Sequence, residues 1–132
     1  MRLGWTIVYV KSVEAAVRFY RRAFGLELRF ITDEKQYAEM DTGATALAFA
    51  SNHFAGTALP LPIRENDPDE PPAGFTISLL SDDVQADFDH AVAAGATALA
   101  APERKPWGQT VAYLRDPDGV LIELATAIES GG

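Results

Sequence analysis

Two stretches of this chain, residues 3–59 and 75–126, present the same succession of patterns, so the sequence is a degenerate repeat with a period of about 70 residues. Residues 3–10 alternate Trp5, Ile7 and Tyr9 with Thr6, Val8 and Val10, which is the period of a strand. Ser12 can cap a helix, Glu14 suits its positive end, and Val13, Val17, Tyr20 and Phe24 recur at helical spacing before Gly25. This spacing predicts a helix over 13–24. Residues 27–32, 36–40 and 45–51 read as strands, the last two joined by a turn at Asp41, Thr42 and Gly43, and residues 52–59 form a short connecting segment. The second half repeats the order. Residues 75–80 form a strand, Asp82 and Gln85 suggest a capping box before Val84, Phe88, Ala91 and Val92, and Gly95 closes the helix. Strands are predicted at 97–101, 109–115 and 120–126, with Asp116, Pro117, Asp118 and Gly119 making a hairpin between the last two. Val10 to Val13 lies over Ser81 to Val84, Gly25 over Gly95, and TALAFAS at 45–51 over LIELAT at 121–126. Each half is therefore βαβββ, the fold class is α+β, and the modules are 1–59 and 75–132. Between them, residues 60–74 hold five prolines and four acids with no apolar period, and are read as a loop or linker.

Charge separates the two halves. Residues 1–60 carry 7 basic and 6 acidic side chains, net +1, whereas residues 61–132 carry 4 and 13, net −9. Such a balance repels phosphate backbones and anionic membranes, so nucleic acid and membrane are excluded as partners, and a neutral or cationic small molecule is favoured. No apolar run reaches the roughly 20 residues of a bilayer-spanning helix, and the N-terminus lacks the pattern of a secretion signal, so the expected location is cytoplasmic. The 132 residues contain no cysteine, which removes thiolate nucleophiles and thiolate zinc sites. There is no G-x-S-x-G elbow, Walker loop or dinucleotide fingerprint.

The strand before Val10-Lys11-Ser12-Val13, the helix ending FYRRAFGL at 19–26, and YLRDPDGVLIEL at 113–124 together resemble the glyoxalase, bleomycin-resistance and dioxygenase superfamily, also called vicinal oxygen chelate. The resemblance runs from Leu3 to Thr126. It implies that the two βαβββ modules form curled mixed sheets around a groove, and that the protein is a homodimer. It also implies four metal-ligand positions, which fall here on Trp5, Ala48, Thr76 and Glu123. Only Glu123 is a good ligand among them, and a zinc site needs at least three protein donors, so no metal and no other cofactor is expected.

The residues expected to bind a ligand are Trp5, Tyr9, Thr76, Trp107, Tyr113 and Glu123. Strand parity sets Leu121, Glu123 and Ala125 on one face, where Glu123 is available as counter-ion, hydrogen-bond acceptor or general base. A three-residue turn at 117–119 puts Tyr113 directly opposite Glu123, close enough to share a hydrogen bond. Trp5 offers a flat stacking surface where relatives carry a metal ligand, and Trp107 lies in the loop leading into a strand. His53 and His90 are read as surface histidines, and the acids of 65–70 as a solvated loop. No catalytic residue is assigned. The expected function is metal-independent small-molecule binding of the bleomycin-resistance type, with drug sequestration as the reading that the resemblance implies. The alternative is a metal-dependent lyase, isomerase or dioxygenase of the same superfamily, and a third reading is an interaction module whose groove is filled by its own side chains.

Overall fold

The computed structural model describes residues 1–128. The chain divides into two compact units, Met1–Asn66 and Asp67–Gly132, and the last four residues of the second module lie outside the described residues. The first unit contains β1 (Trp5–Val10), α1 (Val13–Phe24), β2 (Glu27–Ile31), β3 (Tyr37–Asp41), β4 (Ala46–Ser51) and α2 (Asn52–Ala58). The second contains β5 (Ile77–Leu80), α3 (Val84–Ala93), β6 (Thr97–Arg104), β7 (Thr110–Arg115) and β8 (Leu121–Ala125). Each unit holds one four-stranded sheet, ordered β1-β4-β3-β2 and β5-β8-β7-β6. In each sheet one pair is parallel, β1 with β4 and β5 with β8, and the other pairs are antiparallel. The fold is thus α+β, with mixed, unclosed sheets built on a βαβββ repeat.

Strand alternation decides which face each helix covers. In the first sheet Val8, Val10, Ala38, Met40, Leu47 and Phe49 share one face and are buried. The apolar stripe of α1, with Val13, Ala16, Val17, Tyr20 and Ala23 all buried, supplies the complementary surface, and the Tyr20 ring lies 4.8 Å from that of Phe49. Gly25 ends the helix because the chain must turn left-handed there, at φ 67°, so that the amides of Gly25 and Leu26 reach back to the carbonyls of Arg21 and Tyr20. In the second sheet Ala112, Leu114, Ile122 and Leu124 make the equivalent buried face, and α3 contributes Val84, Phe88 and Ala91.

The structure corrects four local expectations. The cap of α3 is Asp83, whose carboxylate accepts from the Ala86 amide at 3.1 Å, not Asp82 paired with Gln85. Ser81 accepts from the Asp83 amide and donates to Asp87, which places the turn one residue later, and Gln85 reaches Asp89 instead. Asp83 then occupies the repeat position of Ser12, the cap of α1. Residues 52–58 form α2, started by Ser51 accepting from the Phe54 amide at 2.9 Å. Strand β6 continues past Pro102 to Arg104, because on an edge strand a proline need not remove a ladder hydrogen bond. Strand β5 begins at Ile77, leaving Phe75 and Thr76 ahead of it.

The proline-rich segment is fastened near its middle, at Asn66, Asp67 and Pro68. Asn66 donates to the Tyr9 carbonyl at 3.1 Å in the first unit. In the second, the Arg115 guanidinium donates to the carbonyls of Asp67, Pro68 and Gly119 at 2.9–3.1 Å.

Candidate functional site

Each sheet has a second face, turned away from its buried helical side, and the polar chemistry of the chain collects there. In the second unit, register places Ser78 of β5, Glu123 of β8 and Tyr113 of β7 side by side in one cross-strand row. The Ser78 hydroxyl donates to one carboxylate oxygen of Glu123 at 2.5 Å, and the Tyr113 phenol donates to the other at 3.0 Å. The hydrogen bond to Glu123 holds the Tyr113 pKa above its ordinary value, assisted by burial and by the carboxylate charge. Tyr113 therefore stays a donor at neutral pH. Both donors are uncharged, and among the described residues no lysine, arginine or histidine forms an ion pair with Glu123. A half-buried carboxylate with an uncompensated charge is fitted to attract a cation or to accept a further hydrogen bond.

The turn at 117–119 produces this pairing. The Asp116 amide donates to the Val120 carbonyl at 3.0 Å and the Val120 amide returns to the Asp116 carboxylate at 2.8 Å, closing a three-residue loop that sets Tyr113 opposite Glu123. Ser78 was not among the residues singled out from sequence. Its partner strand is parallel, joined through a crossover, and such a register is not set by a local turn.

The remaining expected ligand residues are distributed over both units. Trp5 begins β1, is 57 % exposed, and shares a face with Ile7 and the half-buried Tyr9. Thr76 is exposed and lies outside the strand that carries Ser78. Trp107, 64 % exposed, sits in the turn between β6 and β7, where its indole N–H donates to the Gln109 side chain at 2.6 Å and Gln109 in turn donates to the Thr126 carbonyl. Glu123 and Tyr113 are in direct contact; Trp5 and Tyr9 share a face. His53 and His90 are both exposed.

A second polar group, also not singled out from sequence, occupies the corresponding face of the first sheet. Tyr37 and Glu39 are two residues apart on β3, and the phenol donates to the carboxylate at 2.8 Å. Arg29 of β2 lies 3.6 Å from Glu39 and 3.2 Å from Asp41. The alternation Tyr37, Glu39, Asp41 is legible in the sequence, but Arg29 joins them through an irregular register between Leu28 and Phe30. Burial, with the hydrogen bond to Glu39 and its charge, pushes the Tyr37 pKa up from 10.0 to about 12. In the unfolded chain the phenol ionises near its ordinary value, so its contribution is complete below pH 10 and is lost as pH rises from 10 to about 12. An alkaline titration should therefore show the Tyr37 phenol ionising late, with stability falling across that window. Tyr37→Phe should reduce the late phenolate absorbance by one tyrosine and flatten the fall.

The four positions that the resemblance assigns to a metal do not supply a resident ion's ligands. An indole and a methyl at Trp5 and Ala48 cannot coordinate, Thr76 offers only a hydroxyl, and both oxygens of Glu123 already accept hydrogen bonds. Among the described residues no group of three or more His, Cys, Asp or Glu side chains gathers.

The repeat has clear relatives. The uncharacterized protein YraH of Bacillus subtilis (strain 168) is 27 % identical over 125 residues, covering 94 % of this chain and 97 % of YraH. A glyoxalase-related enzyme from Fulvimarina pelagi superposes with a TM-score of 0.83 at 20 % identity, over 96 % of this chain and 88 % of that one. TioX from Micromonospora sp. ML1 superposes with a TM-score of 0.71 at 22 % identity, over 96 % and 98 % of the two chains. At these identities the solved structures establish the fold and not the chemistry. The family model for the Glyoxalase/Bleomycin resistance protein/Dioxygenase superfamily matches residues 2–124, and the chain belongs to that superfamily.

Proposed function

We propose that this protein is a cytoplasmic, metal-independent binder of a neutral or cationic organic molecule, of the drug-sequestering kind rather than a catalyst. The observation that carries the reading is Glu123: a half-buried carboxylate held by two neutral hydroxyl donors, with no ion-pair partner among the described residues. Binding needs an orienting charge and aromatic surface but no nucleophile, and the second unit supplies Glu123, Tyr113 and the exposed Trp107. The net −9 of residues 61–132 draws a cation toward that unit and makes association weaken with salt.

The test uses a planar aromatic cation as probe. Trp107 fluorescence in a Trp5→Phe background should be quenched on titration. Glu123→Gln should weaken binding by about tenfold, the scale of losing one partly buried charge contact. An anion of the same shape binding as tightly, or a Glu123→Gln protein binding like its parent, overturns the electrostatic part of the reading. Elemental analysis of protein purified without chelator tests the rest. One equivalent of Ni, Zn, Mn or Fe surviving dialysis, and lost in Glu123→Gln, would overturn the metal-independent reading in favour of the metal-dependent lyase, isomerase or dioxygenase.

We also propose that the protein is a homodimer. Each sheet ends in two strands with unpaired edges, and Trp5 and Ile7 on β1 and Leu80 on β5 remain exposed. Light scattering should give twice the 14.3 kDa chain mass, and a concentration-independent monomer would refute the dimer.

A further inference from the structure

We propose that Gln109 is a positioning residue for ligand binding: it holds the exposed indole of Trp107 in one orientation, so that an aromatic ligand stacks on a plate set before it arrives. The proposal rests on the binding reading above, in which Trp107 supplies aromatic surface, and adds a residue that acts through that tryptophan. An exposed side chain ordinarily hops between rotamers in picoseconds to nanoseconds. Trp107 is exposed, yet its one polar group is tied: the indole N–H donates to Gln109 Oε1 at 2.6 Å, and Gln109 Nε2 donates to the Thr126 carbonyl at 2.8 Å. An indole can only donate, so this bond fixes which edge of the ring faces the glutamine and turns the amide oxygen of Gln109 toward the ring.

The frame around this pair is itself fixed. Gln109 is half-buried and directly precedes β7. The Lys105 amide donates to the Gln109 carbonyl at 2.7 Å and the Gly108 amide to the Lys105 carbonyl at 2.9 Å, with Gly108 left-handed at φ 97°. Thr126, at the far end of the relay, is paired with Thr110 in both directions: its amide donates to the Thr110 carbonyl at 3.1 Å, and its hydroxyl accepts from the Thr110 amide at 3.0 Å. Two hydrogen bonds therefore connect the indole to the β7–β8 ladder that carries Tyr113 and Glu123. Immobilising a free side chain on binding costs about threefold to tenfold in affinity. Gln109 makes that loss part of folding instead.

The repeat supplies an independent argument. In the matching loop of the first unit the Lys35 amide donates to the Thr32 carbonyl at 3.0 Å, Lys35 is left-handed at φ 59°, and a glutamine, Gln36, follows it as Gln109 follows Gly108. There the glutamine oxygen accepts from the Ser51 hydroxyl at the end of β4, and Gln36 Nε2 donates to the Glu34 carbonyl at 3.3 Å. The residue before the left-handed one is the exposed Glu34, so this loop closes without an aromatic side chain. In the second unit the same amide oxygen is turned to an indole. Trp107 is therefore not needed to build such a loop, and what it adds is exposed aromatic surface in a fixed orientation.

The test reads indole motion and dye affinity separately. In Trp5→Phe protein Trp107 is the sole tryptophan, and its fluorescence anisotropy should decay only with the tumbling of the protein. Gln109→Glu keeps an acceptor for the indole and should leave the ring held. Gln109→Lys keeps a donor for the Thr126 carbonyl but loses the acceptor, and should add a fast local decay. Affinity for acridine orange, a planar aromatic cation, is read from the anisotropy of the dye. Gln109→Met should weaken it about threefold to tenfold and should have no further effect in a Trp107→Ala background, a coupling that a general loss of structure cannot produce. Circular dichroism checks that each variant is folded. An indole held equally in Gln109→Glu and Gln109→Lys, a Gln109→Met protein that binds like its parent, or an equal loss with and without Trp107 overturns the proposal. Glu123→Gln tests the broader reading on its own: unchanged dye affinity there overturns the electrostatic reading and leaves the role of Gln109 standing, whereas absence of the Gln109 coupling alone does the reverse. A parent protein that binds no dye overturns both.

Discussion

Gly119→Ala is expected to destabilise the protein by about 3 kcal/mol, from the sum of a left-handed backbone penalty and overpacking against fixed atoms. Gly119 adopts φ 95°, where a side chain is strained whatever the surrounding space. Space is lacking as well. A Cβ at this position would lie 2.8 Å from both the N and Cα of Pro68 and 2.7 Å from an Arg115 guanidinium nitrogen. The guanidinium could swing aside, but only by giving up its bonds to the carbonyls of Asp67 and Pro68, and the proline backbone cannot move without dragging the segment those bonds hold. Gly108 makes the control: it too has a positive φ, 97°, but nothing lies within 4 Å of its Cβ position. Gly108→Ala should therefore cost only the conformational part, about 1–2 kcal/mol. Urea unfolding of both variants separates the two contributions, and equal losses would show that contact with Pro68 contributes nothing.

That contrast also marks what the sequence discloses. The need for glycine at 119 follows from the order Asp116, Pro117, Asp118, Gly119 between two strands, and the same turn correctly places Tyr113 opposite Glu123. The approach of Pro68 does not follow, because it joins residues some fifty positions apart through a segment without periodicity. The same division runs through the candidate site. Helix α1 falls at Val13–Phe24, as its spacing predicts, because its cap, its apolar stripe and Gly25 are all local signals. Ser78 and Arg29 were missed because a parallel register and a register irregularity bring them to their carboxylates, and neither is encoded in neighbouring residues. The acidic segment was legible as loop from its composition, but its attachment through Asn66 and Arg115 was not. Helix α2 has seven residues, no acidic residue in its first turn and no basic one in its last, so little beyond Ser51 announces it.

Phe49→Ala should be the most damaging single truncation in the first unit, with an expected loss of about 3–5 kcal/mol. Phe49 is 0 % exposed and lies on β4, which is hydrogen-bonded on both sides, to β1 and to β3. It faces α1, where the Tyr20 ring packs at 4.8 Å, and it sits between Val8 and Ala38 in one register row. Deleting the ring removes its transfer energy and opens a cavity beneath α1 that two hydrogen-bonded neighbours prevent the strand from collapsing into. Tyr20 loses an aromatic partner, and its own position against Phe19 and Phe24 slackens. A typical domain is stable by only about 5–15 kcal/mol, so the variant should unfold at far lower denaturant. Phe54→Ala is the matched control. The same atoms are removed, but Phe54 on α2 is 43 % exposed, so its loss should be no more than about 1 kcal/mol. If the two variants unfold at the same urea concentration, the Phe49 ring does not carry the packing of α1 on its sheet. If they separate as expected, the hydrophobic face of β4 holds the first sheet, and with it the row of Ile7, Ala48 and Glu39 on the opposite side of the same strand.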